Sequence, residues 1–206
     1  MNALEKMFKQ SSAQQDYYKN YCRYVSELIT HLDTAAVEEV VNCFLKARRE
    51  DKTIYFAGNG GSASTASHFC QDVSEIGRKI KGKGFRAQSI TDNVSAVTAI
   101  ANDYNYDSIF SMQIQYNFNP GDVLVCISAS GNSPNVINAA NLAKEKGGTT
   151  VALVGFSGGR LAEICDITVH IKTQVGEYGP VEDVHLMLDH IITSYLIMAL
   201  RNESGA

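Results

Sequence analysis

Two glycine- and serine-rich segments of this chain have the composition to hold an anion. The first, Gly58-Asn59-Gly60-Gly61-Ser62-Ala63, follows a short apolar run and precedes an amphipathic one. Glycine admits positive φ and lets the backbone come close to a ligand. Ser62 would add a hydroxyl to the free N–H groups of a helix start, where negative charge is favoured. The second, Ser128-Ala129-Ser130-Gly131-Asn132-Ser133, follows the apolar run 123–127, and Pro134 then suits a first helical turn. Ser128, Ser130 and Ser133 could converge with a second set of backbone donors. Such a nest of neutral donors suits a phosphate monoester and requires no magnesium. Neither segment is a nucleotide signature. No lysine follows the glycines as in G-x-x-x-x-G-K-[ST], and Ala63 stands where G-x-G-x-x-G needs its third glycine. No nucleotide cofactor is expected.

A second set of residues could move protons. His68 and Asp72 are four apart on the helix that Ser62 opens, so their side chains stack on one face. Glu75, one turn later, is the alternative acid. Glu182, His185 and His190 lie on the last helix. Glu182 and His190 are separated by about 12 Å of rise and about 80° of rotation. They can bracket one ligand but cannot bond each other. His185 faces elsewhere and reads as structural.

The elements that must position these groups follow from periodicity. Short apolar runs at 53–57, 86–90, 122–127, 149–154 and 166–171 read as strands. Amphipathic stretches at 62–79, 94–101, 108–118, 134–146, 160–164 and 181–200 read as helices. This alternation predicts an α/β fold, a doubly wound five-stranded parallel sheet. Before it, Tyr17, Tyr21, Val25, Leu28 and Leu32 mark one helical face, and Val37, Val40, Val41, Phe44 and Leu45 another. Asp33 and Thr34 offer caps between them, giving an N-terminal helical hairpin. The hairpin is too small to fold alone and must pack on the body or on another subunit.

Composition sets the class. The chain has 206 residues, 45% hydrophobic and 19% charged, enough for a packed core. Its 18 basic and 22 acidic residues give a net charge of −4, with no basic block for nucleic acid or acidic membranes. No unbroken apolar run is long enough for a membrane span, and the N-terminus lacks the order of a signal peptide. Five scattered cysteines, with no C-x-x-C pair, read as reduced thiols of a cytoplasmic protein. The tail 202–206 reads as frayed.

GNGGSA at 58–63 and ISASGNSPNVI at 127–137, each after a strand, resemble the sugar isomerase (SIS) domain family. TDN at 91–93, AIANDYNYDSIFSMQ at 99–113 and GGRLAEICD at 158–166 extend the resemblance over nearly the whole chain, and within the family it is nearest to the phosphoheptose isomerases. The resemblance implies one flavodoxin-like domain over 1–206, with helices over 1–50 and an α/β core over 51–201. It implies isomerisation of sedoheptulose 7-phosphate to D-glycero-D-manno-heptose 7-phosphate, in heptose biosynthesis for lipopolysaccharide or capsule. The phosphate would be held by Ser62, Ser128, Ser130 and Ser133. Asn59, Gly60, Gly61, Asp92, Asn93 and Ala129 would complete the substrate site. His190 would be the acid–base group, with Asp72 or Glu182. His68, Asp72, Glu182 and His190 would form a ligand set for Zn²⁺, with sugar oxygens completing it. Three positions depart from the family pattern: Asp72 replaces a glutamate, Glu182 a frequent glutamine, and Gly179 a frequent aspartate. The resemblance also implies a homo-oligomer, a tetramer, with sites shared between subunits. The rival readings are a non-catalytic SIS protein, binding a phosphosugar or a protein such as a replication initiator, and an isomerase of another phosphosugar.

Overall fold

The computed structural model describes residues 1–204. Five strands, β1 (Thr53–Gly58), β2 (Arg86–Ser89), β3 (Val123–Ser128), β4 (Thr149–Val154) and β5 (Ile167–His170), form one sheet in the order β2-β1-β3-β4-β5. All pairings are parallel. Alternate strand residues face opposite layers. Ile54, Phe56, Val123, Val125, Val151 and Leu153 enter one core, and Tyr55, Ala57, Leu124, Cys126, Ala152 and Val154 the other. Both faces are covered, so the strands read as near-continuous apolar runs.

The first face carries α3 (Thr34–Arg49), α4 (Gly61–Ile80) and α9 (Tyr178–Ser204). Phe44 of α3, Phe56 of β1 and Phe69 of α4 meet there, with ring centroids 5.0–6.2 Å apart. The second face carries α5 (Val94–Asp103), a 3₁₀ turn (Tyr106–Ser108), α6 (Ser111–Ile114), α7 (Pro134–Glu145) and α8 (Gly159–Ile164). Strand order places β1 and β3 side by side although α4 and β2 separate them in the chain. This is the switch point at which ligands of open α/β sheets bind, beyond the carboxyl ends of the strands. The β1–α4 and β3–α7 loops both emerge there.

The N-terminal region has one more helix than the periodicity suggested. α1 (Ala3–Gln10) is opened by an Asn2–Glu5 capping box, and α2 (Gln14–Thr30) follows. α2 ties down the start of α9. Tyr24 donates to Glu177 and Tyr21 to Asp183, each at 2.5 Å, and the Ala3 amide donates to Glu177 at 2.5 Å. Two other expectations change. The helix expected over 108–118 is only the short α6, because its apolar residues Ile109, Phe110, Ile114 and Phe118 are buried by an irregular turn. α9 runs on through Ser204, past the expected end at 200, held near its end by Arg201 donating to the Lys79 carbonyl. Of the expected frayed tail, only residues 205 and 206 lie outside the described residues.

Among the described residues, α9 is the one helix long and apolar enough to cross a membrane. Its stripe Val181, Val184, Leu188, Ile192, Leu196 and Leu200 is buried in the core, which explains that composition.

Candidate active site

The first loop turns sharply because Gly60, at φ +56°, takes a backbone conformation that side chains disfavour. α4 then starts at Gly61. A Cβ at Gly61 would meet the Glu182 carboxylate, so glycine leaves room for that side chain at the start of α4. Ser62 is buried one residue into the helix.

The second loop is braced from below. Ser128 Oγ accepts from the Gly131 amide at 3.1 Å, and Ser130 Oγ from the Asn132 amide at 3.2 Å. Gly131 has φ +65°, and a Cβ there would overlap the Gly158 carbonyl. The glycine-rich start of α8 therefore packs directly on the loop. Leu161 donates to the Gly131 carbonyl, and the Arg160 amide to Asn132 Oδ1, both at 2.9 Å. Ser133 is the N-cap of α7, but its hydroxyl makes no capping bond.

The two loops are joined by an amide pair. Asn59 Nδ2 donates to Asn135 Oδ1 at 2.9 Å, Asn135 Nδ2 returns to Asn59 Oδ1 at 3.0 Å, and Tyr106 donates its hydroxyl to the same oxygen at 2.9 Å. Asn59 thus aligns the loops. Together they line a cavity of about 170 Å³ with Ser62, Ser128, Ala129, Ser130 and Ser133, closed at one side by Tyr178 and Glu182. Tyr178 is set by an edge-on contact with Phe156, itself at φ +48°. Among the described residues, no lysine or arginine lines the cavity. Hydroxyls and backbone amides at two helix starts are donors suited to a phosphate.

Farther down α4, its side chains meet those of α9. His68 Nε2 lies 3.4 Å from His190 Nε2 and 3.8 Å from Asp72 Oδ2. Asp189 joins them from the buried side of α9, and one donor atom from each of the four residues lies within 4.8 Å of the others. Asp189 is 0% exposed, and neither carboxylate oxygen has a hydrogen-bond partner. Burial, helped by the Asp72 charge and opposed by Lys79, pushes its pKa up to about 7. Glu75 is engaged instead by Arg78, whose Nε donates to it at 2.7 Å. Of the two acids that follow His68 on α4, Asp72 is therefore the one beside the histidines.

The structure does not bring Glu182 into this group. Its carboxylate lies against Gly61 at the cavity, and burial, then Asp183, raises its pKa. Asp92 borders α4, accepting from Ser67 next to His68 and from Thr91 at 3.0 Å. Asn93 is occupied as the N-cap of α5, accepting from the Ala96 amide at 3.0 Å. His185 is fully buried on the core side of α9. Burial pushes its pKa down to about 4, against a smaller opposing effect of the Val154 backbone.

Asn135, Tyr106, Tyr178 and Asp189 were not among the sequence-derived candidates. Asp189 had a signal: it falls on the apolar stripe of α9, where a charged residue is out of place. Asn135 sits just after Pro134, at a helix start where an amide could reach back to a loop.

Two imidazoles and two carboxylates, one of them buried without a partner, fit a divalent cation. As proton carriers, the same groups suit exchange at a sugar carbon and its oxygens.

Known proteins resemble this chain over most of its length. The SIS domain model matches residues 16–155. A phosphoheptose isomerase of Rhodospirillum rubrum is 33% identical over 190 residues, covering 90% of this chain and 98% of that protein. One from Sulfurimonas denitrificans is 40% identical over 161 residues, covering 76% of this chain and 78% of that protein. The solved phosphoheptose isomerase GmhA from Neisseria gonorrhoeae superposes with a TM-score of 0.77 at 31% identity, covering 87% of this chain and 94% of the other. Sheet, loops and relatives agree: the chain belongs to the SIS domain family, among its phosphoheptose isomerases.

Proposed function

We propose that the chain is an aldose–ketose isomerase that converts sedoheptulose 7-phosphate into D-glycero-D-manno-heptose 7-phosphate. The observation that carries this reading is the spacing of two unlike regions. Gly61 begins the helix at the serine-lined cavity, and His68 lies seven residues on, about 10 Å along the α4 axis. An extended chain advances about 1.2 Å per bond, so eight bonds from phosphorus to C1 of a heptose 7-phosphate span about 10 Å. The phosphate then sits among Ser62, Ser128, Ser130, Ser133 and the amides of Gly60, Gly61 and Ala129, while C1 and C2 reach the histidines. Asp92 and Asn93 border the sugar, and Asn59 holds the loops in register. The isomerase names of the relatives favour this over a purely binding role.

His190 is the proposed base for the proton that moves between C1 and C2, since an imidazole nitrogen can both accept and give a proton. Asp72 is its neighbouring carboxylate. On this reading Glu182, whose pKa burial raises, borders the phosphate end and is not the acid at C1 and C2. His68, Asp72 and His190 would hold a divalent cation, and zinc suits such donors. When bound, it would polarise the sugar oxygens. A nitrogen that binds a cation is not free to take a proton, so turnover and metal content belong in one assay.

A homotetramer in the cytoplasm completes the reading, serving heptose supply for lipopolysaccharide or capsule. The support for assembly is the exposed apolar row Met187, Ile191, Tyr195 and Met198 on α9, flanked by apolar grooves against α2 and α3. Light scattering should give a multiple of the 22.5 kDa chain mass; a monomer would contradict it. The reaction is tested by incubating the protein with sedoheptulose 7-phosphate and identifying the product by NMR. Formation of the aldose phosphate is expected, and binding without conversion would leave only a phosphosugar-binding role.

A further inference from the structure

We infer that Tyr106 is a positioning residue for phosphate binding: its hydroxyl pins Asn59, and through Asn59 the glycine turn whose amides are the proposed phosphate donors. The inference rests on the reading of the serine-lined cavity as the phosphate site.

The glycine turn has little else to hold it. In the run Gly58-Asn59-Gly60-Gly61, Asn59 carries the one side chain. Glycine has the most conformational freedom to lose when a turn is ordered. The backbone bonds made by the run's carbonyls lead forward into α4, accepting from the Ala63 and Ser64 amides. Among the described residues, the Gly60 and Gly61 amides donate to no group, so they are free for a ligand. Their direction follows from how the Asn59 side chain is held.

A backbone amide sets the polarity of that side chain. Val136 N–H can only donate, and it lies 2.9 Å from Asn135 Oδ1. The Asn135 atom there must therefore be oxygen, and Asn135 Nδ2 donates across to Asn59 at 3.0 Å. The Asn59 atom that receives it is in turn Oδ1. Tyr106, which meets the same oxygen at 2.9 Å, is then the donor. An amide oxygen has two lone pairs and an amide nitrogen two hydrogens. Both lone pairs of Asn59 Oδ1 are filled, and one Nδ2 hydrogen goes to Asn135 at 2.9 Å. One N–H remains, on a side chain that lines the cavity. Asn59 therefore offers the cavity a donor and no free acceptor, which is what an anion requires.

Tyr106 adds the third bond from a different element. Asn135 belongs to α7, and Tyr106 to the 3₁₀ turn after α5. That turn is fixed in its own right. Asn138 of α7 donates to the Asp107 carbonyl at 3.0 Å, and the neighbouring Ile109 and Phe110 are buried. Tyr106 itself is 55% exposed, so its ring adds little to the core, and the hydroxyl is its contribution.

The test compares wild type with Tyr106→Phe, which keeps the ring and removes the hydroxyl. Binding of sedoheptulose 7-phosphate and of inorganic phosphate is measured by calorimetry, with turnover of the sugar and thermal melts in parallel. Both ligands should bind about 2- to 10-fold more weakly, the worth of one neutral hydrogen bond. The kcat should stay within about twofold, as for a group that acts on binding alone, and the melting temperature should not move. Unchanged affinity overturns the inference, as does a lower kcat at unchanged affinity. A loss confined to the sugar phosphate also overturns it, since Tyr106 would then act on the sugar. Wild type that binds neither ligand overturns it together with the cavity reading. The route through Asn59 is read by a double-mutant cycle with sedoheptulose 7-phosphate. In Asn59→Ala, Tyr106→Phe should weaken binding no further, and additive losses are the contrary result. If Asn59→Ala does not fold, NMR of asparagine-labelled full-length protein decides. Tyr106→Phe should shift the Asn59 side-chain amide signals, and unmoved signals would exclude the contact. Wild type that binds sedoheptulose 7-phosphate without converting it would end the proposed reaction, while the binding comparison still decides this inference.

Discussion

At the carboxyl edge of the sheet, an anion would meet hydroxyls and amides on two loops. Two turns down α4, the donors are imidazoles and carboxylates on two facing helices. The donors of the first region are neutral and come from two unbroken pieces of chain, with Tyr178 and Glu182 of α9 closing one side. Backbone braces such as Leu161 to Gly131 fix it whatever the ligand. The second joins residues 122 positions apart, and one of its acids is buried without a partner. Its arrangement depends on how α9 is rotated against α4. On the proposed reading, the serine loops bind the phosphate, and the cluster with its unpartnered buried acid carries the chemistry.

The sharpest way to break this division is His190→Gln. It preserves much of the side chain's size and hydrogen bonding but cannot take up a proton. The variant should fold and keep substrate affinity within several-fold. It should lose about 10²–10⁴ in kcat, the scale of general acid–base catalysis. Full turnover in this variant would remove His190 from the reaction.

His185 lies on α9 between the two regions and should serve neither. Folded, it titrates at about 4 because burial penalises its charged form. In the unfolded chain it titrates near 6.5. Below that pH the unfolded chain takes up the proton first, so stability is lost as the pH falls towards 4. The loss is about 3 kcal/mol in all, and it levels off below that pH. Asp189, its pKa pushed up to about 7, gains stability over the same window, so the His185 contribution is read as a difference: in denaturant melts, wild type should lose more stability than His185→Leu as the pH falls. Identical slopes would mean that the ring is not buried neutral.

The smallest expected effect is in the neutral region. Ser130→Ala should weaken sugar phosphate binding by about 1–3 kcal/mol, the range for one donor to a charged group. Its kcat should change little. Titration calorimetry with phosphorylated and free sugar checks it, and equal affinity of wild type for both would show that the loops do not read phosphate.

The two regions also differ in how much of them the sequence made legible. Ser62, Ser128, Ser130 and Ser133 were readable because each sits between a strand and a helix in one continuous segment. Their placement follows from chain order once the sheet is parallel. The fold followed for the same reason, since the apolar runs alternate with amphipathic ones. The cluster was harder. Asp72 and Glu75 both follow His68 on α4, and only the pairing of Glu75 with Arg78 separates them. Glu182 and Asp189 are both acids near His190 in sequence. Their separation depends on how α9 is rotated and placed against α4, with Glu182 against Gly61 and His190 beside His68, which spacing alone does not fix. α1 escaped notice because it is only eight residues long and buries no residue fully.

The central claim is that the serine loops and the α4–α9 cluster act on opposite ends of one substrate about 10 Å long. A ketopentose 5-phosphate, with six bonds from phosphorus to C1, spans only about 7 Å. It should occupy the loops and inhibit competitively, yet fail to reach the histidines. Turnover of sedoheptulose 7-phosphate and of the five-carbon phosphate should therefore be measured side by side, with inhibition by the shorter sugar in the same assay. The account predicts rapid isomerisation of the seven-carbon sugar and inhibition without isomerisation by the five-carbon one. Equal turnover of the two would contradict it.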